Sequence, residues 1–147
     1  MPPSRERADI AFFACVSAIE RLAAQRLERA LPAGLSGAGF AVLNRLAISP
    51  DPASPLALAA ALKLSKPAMT HTLQRLEGQG LVAVTADPDD GRRKRVALTP
   101  AGAAAQRAGA AAVRPRLDEV RAAFNPSEFE AVLPFLERLG AWLAAHP

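Results

Sequence analysis

The 147-residue chain has no tyrosine, one tryptophan, one cysteine and two histidines, and these scarcities remove several classes of function. A single cysteine, Cys15, cannot close a disulfide within the chain. His71 and His146 lie far apart, and neither stands at ligand spacing from Cys15, so no metal site is predicted. No nucleophile has a base beside it, and no glycine-rich loop is built to cradle a phosphate. An enzyme is therefore not expected, and no cofactor is called for. The chain also lacks both an apolar run long enough to span a bilayer and an N-terminal apolar stretch with a cleavage site. The expectation is a soluble cytoplasmic protein with no membrane partner.

Hydrophobic residues make up 50% of the chain, and much of that share is alanine, which favours helix but buries little area per residue. Helices of this kind gain from packing against a second chain. The length suits one domain, residues 1–147, with a thin core of its own. The formal net charge is +4, and its location is more informative than its size. Lys63, Lys66, Arg75, Arg92, Arg93, Lys94 and Arg95 face only Glu77, Asp87, Asp89 and Asp90, so three of the four net charges fall within residues 63–95.

Helical periodicity runs from about Arg7 to Leu31, behind a frayed segment at residues 1–6, with Phe12, Val16, Ile19, Ala23 and Leu27 as its apolar stripe. Pro32 and Gly34 end it. Ser36 can cap a second helix through Ile48, with Phe40, Leu43, Leu46 and Ala47 as its stripe, before the proline-rich loop SPDPASP. Ser54 and Pro55 then open a short helix whose Leu58, Ala59 and Leu62 can pack on the next one. Near the other end, Thr99 and Pro100 start a long helix to about Phe124, which Pro115 should kink near Val113 without breaking. Asn125 and Pro126 start the last helix, which carries Phe129, Val132, Leu133, Leu136, Leu139 and Leu143, with Trp142 at its edge.

Between these lies the segment that organises the chain. Ser65 is a good N-cap, and Pro67 in the first turn lacks an N–H that would have had no partner. Met69, Leu73 and Leu76 recur on one side of this helix, while Pro67, Thr70, His71 and Gln74 recur on another, flanked by Lys66 and Arg75. Short polar residues with cations at the margins suit base edges in the middle and phosphates at the rim. Gly78 and Gly80 close the helix. Leu81 to Thr85 and Lys94 to Thr99 then alternate as strands about the turn run DPDDG, forming a hairpin whose tip carries Arg92, Arg93, Lys94 and Arg95.

LSKPAMTHTLQRLEGQGLV followed by DPDDGRRKRVALTPAG resembles the recognition helix and wing of the MarR-type winged-helix transcriptional regulators. The RLE-x-x-GLV helix end, the Asp-x-Arg at Asp90 and Arg92, and the following LT-x-x-G occur in order. The resemblance implies a mainly α fold with a small β-hairpin wing: a winged helix-turn-helix at about 36–99 between dimerisation helices at about 7–31 and 100–145. It further implies a homodimer on a palindromic operator in double-stranded DNA, acting as a repressor that a small-molecule effector releases. By the same resemblance, Arg92 enters the minor groove and Asp90 holds the wing's shape. Gly91 stands where many relatives carry another arginine, with Arg93, Lys94 and Arg95 following. The expected DNA-binding set is thus Ser65, Lys66, Pro67, Thr70, His71, Gln74, Arg75, Asp90, Arg92, Arg93, Lys94 and Arg95, with Thr70, His71 and Gln74 as readers.

Two other functions fit parts of this pattern. One is a winged helix used as a protein-interaction module, with the basic wing merely solvated. The other is thiol-based redox sensing through Cys15. Relatives that sense peroxide use tyrosine partners, which this chain lacks, and Cys15 falls on the apolar stripe, so it is expected to be a buried, inert thiol. Phe12, Phe13 and Phe40 read equally as ligand-pocket lining and as core.

Overall fold

The computed structural model describes residues 7–49 and 51–147, so the frayed segment expected at 1–6 and Pro50 of the proline-rich loop lie outside the described residues. Six helices and one hairpin follow in order: α1 (Ala8–Ala30), α2 (Gly37–Ile48), α3 (Pro55–Leu62), α4 (Lys66–Gly78), β1 (Val82–Ala86), β2 (Lys94–Leu98), α5 (Pro100–Ala123) and α6 (Pro126–Ala145). Most starts are fixed by side chains that accept an otherwise unpartnered first-turn N–H. Ser36, Ser54 and Ser65 accept from Gly39, Ala57 and Ala68 at 3.0, 3.0 and 3.2 Å. Thr99 accepts from Gly102 at 3.0 Å, and Asn125 forms a capping box with Glu128.

The ends are equally local. Helix α4 closes in a Schellman motif: the Gly80 and Leu81 N–H groups donate to the Glu77 and Leu76 carbonyls, both at 2.9 Å. Gly80 takes the left-handed conformation this requires, at φ +74. Gly78, expected to share the closure, is still helical. Helix α3 ends the same way but places Lys63, a residue with a Cβ, at φ 53.

The chain divides into two units between Val113 and Arg114. In the first, Phe40, Val42, Leu43 and Leu46 of α2 meet Leu58 and Ala59 of α3, Met69, Leu73 and Leu76 of α4, and Val82 and Val96 of the hairpin. Because α2 is packed by α1, α3, α4 and β2, its buried arc is wider than a single stripe. Val42 is therefore buried, while Ala47, expected in the core, is exposed. The hairpin is antiparallel, with Val82 opposite Leu98 and Val84 opposite Val96, so these four residues share one face. Ala53, on the loop before α3, bridges Val96 through two backbone hydrogen bonds of 3.1 and 2.8 Å.

Helix α5 leaves the hairpin at close range. A Cβ on Gly102 would lie 1.8 Å from the Leu81 carbonyl oxygen, and one on Gly109 would lie 2.6 Å from the Phe40 ring. The helix passes Pro115 unbroken. Helix α1 buries no residue, although Leu27 packs on the core. Cys15 is exposed, which corrects the expectation of a buried thiol: at that level the described residues leave the α1 stripe uncovered.

The second unit, Arg114 onward, has no buried residue. Phe124 and Phe129 meet edge to face across the turn between α5 and α6, with ring centroids 6.3 Å apart. Phe129, Val132, Leu133, Leu136 and Leu143 of α6 are exposed, and Trp142 stacks on His146.

Candidate nucleic-acid interface

Helix α4 splits as its sequence predicts. Met69, Leu73 and Leu76 are buried, together with Thr72, whose hydroxyl donates to the Ala68 carbonyl at 2.8 Å and so carries no unpaired polar group inward. Lys66, Pro67, Thr70, His71, Gln74 and Arg75 are all exposed. At about 100° per residue these six cover one continuous half of the helix. Ser65, also exposed, is the N-cap.

The hairpin is held against this helix at its root. The Glu77 carboxylate accepts from the Val84 N–H at 3.3 Å, and Thr99 donates its hydroxyl to the Gly80 carbonyl at 2.7 Å. At the same C-terminal end of α4, Gln79 donates its side-chain amide to the Gly34 carbonyl at 2.8 Å, anchoring the helix to the loop after α1.

A groove of about 470 Å³ separates α3 and the first half of α4 from the wing. Its walls are Ser54, Pro55, Leu56 and Ala59 on one side, Lys66, Met69 and Thr70 along α4, and Arg92, Arg93 and Lys94 on the wing. Four cations and no acid line it. The structure thus brings Lys66 and Thr70 together with three of the four wing cations. His71, Gln74, Pro67 and Arg75 continue the α4 face outside the groove lining, and Arg95 is not part of that lining.

Sequence reasoning treated α3 as support and missed its first turn as a groove wall. The available signal was Leu56, which falls off the Leu58, Ala59 and Leu62 stripe and is 66% exposed.

The wing tip is shaped by its acids. Asp90 accepts from the Arg92 N–H with its carboxylate at 3.1 Å and from the Arg93 N–H with its carbonyl at 3.0 Å. The same carboxylate lies 3.7 Å from the Arg93 guanidinium. Asp87 accepts from the Asp89 N–H at 2.9 Å and pairs with Arg95 at 3.5 Å. The Asp89 N–H, and after it the Arg95 charge, hold the Asp87 carboxyl below the ordinary carboxylate range against an opposing push from desolvation. Among the described residues, Arg92 and Lys94 have no side-chain ion pair.

Among the described residues no helix is long and apolar enough to cross a membrane, and no group of three or more His, Cys, Asp or Glu is placed to hold a metal ion.

Comparison with known proteins places this geometry in context. Residues 33–93, from the loop before α2 through the wing tip, match the family model described as MarR family. No curated protein sequence matches the chain. Among solved structures, a probable transcriptional regulator from Pseudomonas aeruginosa is 30% identical over 92% of this chain and 99% of its own, with a TM-score of 0.77. A mutant MarR from Escherichia coli complexed with operator DNA is 23% identical over 92% of this chain and 98% of its own, with a TM-score of 0.80. BpsR of Bordetella bronchiseptica, whose DNA binding is regulated by 6-hydroxynicotinic acid, is 22% identical over 88% of this chain and 98% of its own, with a TM-score of 0.79. With the capped α4, the cation-bearing hairpin and these matches in hand, the chain belongs to the MarR family of winged-helix transcriptional regulators.

Proposed function

We propose that the chain is a sequence-specific DNA-binding repressor, acting in the cytoplasm as a homodimer on a palindromic operator until a small molecule releases it. The observation that carries this reading is the acid-free basic groove between α4 and the wing. A helix face and a cationic hairpin bordering one trough can hold a single duplex by two neighbouring grooves, with the intervening sugar-phosphate strand between them. Thr70, His71 and Gln74 then read base edges in the major groove. Ser65, Lys66, Pro67 and Arg75 border them toward the phosphates, and Arg92, Arg93 and Lys94 serve the minor groove and its rim.

In this reading residues 1–147 work as one domain, with the winged helix at about 36–99 presented by dimerisation helices at about 7–31 and 100–145. A second copy as their cover is supported by the large apolar side chains left in solvent: Ile10, Phe13, Ile19 and Leu22 on α1, and Phe129, Val132, Leu133 and Leu136 on α6. Two recognition helices about 34 Å apart would meet half-sites one turn of DNA apart. Release by a small molecule is supported by the Bordetella relative and its 6-hydroxynicotinic acid.

The test is binding to an operator selected from random duplexes, followed by fluorescence anisotropy across a salt series. Affinity should fall steeply with salt, with a slope of about 0.9 per phosphate contact. Arg92→Ala should weaken binding, and Gln74→Ala should shift base preference by about 1–3 kcal/mol per lost contact. Unchanged operator affinity in Arg92→Ala, or equal losses on operator and random DNA in Gln74→Ala, would contradict these roles.

A further inference from the structure

The four consecutive wing cations do not share one environment. Lys94 and Val96 lie on one face of β2, and Arg95 lies on the other, since successive strand residues alternate. Lys94 accordingly lines the groove with Arg92 and Arg93, and Arg95 does not. The Arg95 side chain is only 39% exposed, against 77% for Arg93. Its guanidinium lies 3.5 Å from Asp87 and 3.9 Å from Asp89, and the Asp87 side chain is 19% exposed.

Asp87 is itself fixed on both sides. Its N–H donates to the Arg93 carbonyl at 2.9 Å, closing the hairpin, and its carboxylate turns back to accept from Asp89. The Arg95 to Asp87 pair therefore joins the C-terminal arm of the wing to the start of its turn. That turn sets where Asp90 presents the Arg92 backbone.

We infer that Arg95 is a positioning residue of the wing rather than a DNA contact: paired with Asp87 on the hairpin face away from the groove, it holds the turn that aims Arg92 and Lys94. This rests on the DNA-binding reading above. It removes Arg95 from the expected contact set and gives Asp87, which was not in that set, a part in the machinery. Arg93, shared between Asp90 and the groove, sits between the two roles.

The two roles for Arg95 predict opposite signs for one neutralising change. Asp87→Asn keeps an oxygen to accept from the Asp89 N–H but removes the charge facing Arg95. If Arg95 braced nothing and touched phosphate, Asp87→Asn would free a cation and tighten operator binding. If Arg95 acts through Asp87, binding weakens, by about two- to five-fold per wing, the range expected for a partly exposed ion pair.

The experiment measures the full chain on its selected operator over a salt series, for wild type, Asp87→Asn, Arg95→Gln, the double variant, Arg95→Lys and Arg92→Ala. The expected result is that Asp87→Asn and Arg95→Gln each weaken binding, that the double variant is no weaker than either, that Arg95→Lys restores most of the loss, and that the salt slope stays at the wild-type value in all four. Arg92→Ala, in contrast, should lower the slope. Tighter binding by Asp87→Asn, additive losses in the double variant, or a slope lowered by about 0.9 per lost contact in Arg95→Gln would each overturn the assignment. Wild type that binds duplex DNA without salt dependence would instead remove the DNA-binding reading, leaving the two failures distinguishable.

Discussion

Adding one methyl group at three glycines should change stability with different signs, and the surrounding atoms determine which. At Gly102 a Cβ would sit 1.8 Å from the Leu81 carbonyl oxygen and 2.9 Å from Leu98 Cδ1. Carbon atoms prefer separations of about 3.5–4.0 Å, so the overlap exceeds 1 Å and falls on backbone that cannot rotate away. Relief requires α5 to back off from the wing root. Overpacking typically costs about 1–3 kcal/mol, and a clash with main chain belongs at or above the upper end, so Gly102→Ala should lose about 3 kcal/mol or more. At Gly109 the nearest atoms belong to the Phe40 ring, at 2.6 and 2.7 Å. A ring can tilt, so the middle of the same range, about 2 kcal/mol, is expected.

Gly78 is helical and has nothing within 4 Å of its would-be Cβ. There alanine only gains helix propensity, and Gly78→Ala should stabilise by about 0.5–1 kcal/mol. Urea unfolding at fixed protomer concentration reads all three, because apparent stability of an associating chain depends on concentration. A Gly102→Ala chain with the wild-type midpoint and slope would refute the close approach of α5 to Leu81. A destabilised Gly78→Ala chain would refute the open surroundings assigned to that position.

Two further changes test single features. Lys63→Gly should stabilise by roughly 0.5–1 kcal/mol in the same urea assay, because Lys63 holds φ 53 at the end of α3, where a side chain is strained and glycine is not. Lys63→Ala, which keeps the Cβ, should show no such gain. For pH, the Asp87 carboxyl is held below its ordinary value of 3.8 in the folded wing. Its contribution is therefore present above that value and lost as pH falls through the lower folded one. Amide protection factors at Arg93 and Arg95 should fall as pH drops through that acidic window in wild type, and should stay level in Asp87→Asn.

Local signals carried most of the fold. Five side-chain caps and the prolines behind four of them located five of the six helix starts, because a cap is a contact among residues a few positions apart and is written in the sequence at that spacing. The hairpin and its apolar face followed from two-residue alternation about a turn run, also a local pattern. What did not show was anything depending on several neighbours at once. Val42 displaced Ala47 in the α2 core because four elements surround that helix, and a single stripe cannot record four partners. The groove was half legible. Thr70 and the wing cations stood out by type, whereas Leu56 entered it through the packing of α3, and the split between Arg95 and its neighbours depended on which face of β2 each residue took.

The helices at the two ends differ from the rest: their periodicity marks an apolar face, and the chain leaves much of that face exposed. Ile19 is 65% exposed and Trp142 57%, on helices as regularly amphipathic as any in the chain. Burying a side chain of that size is worth about 1.5–3 kcal/mol, and sixteen large hydrophobic residues remain exposed among those described. Evolution of a helix with such a stripe and no internal cover is hard to explain unless something outside the chain supplies the cover. In the homodimer proposed above, a second copy is that cover, because a two-fold axis presents each apolar face with a partner of the same chemistry. The same cover bears on Cys15, which lies on the α1 stripe and is exposed in the single chain. Its expected burial then becomes a statement about the assembly: slow reaction with an aromatic disulfide reagent in the associated protein and fast reaction at dilutions where the copies separate. Equal rates in both conditions would count against a second copy covering α1 around Cys15.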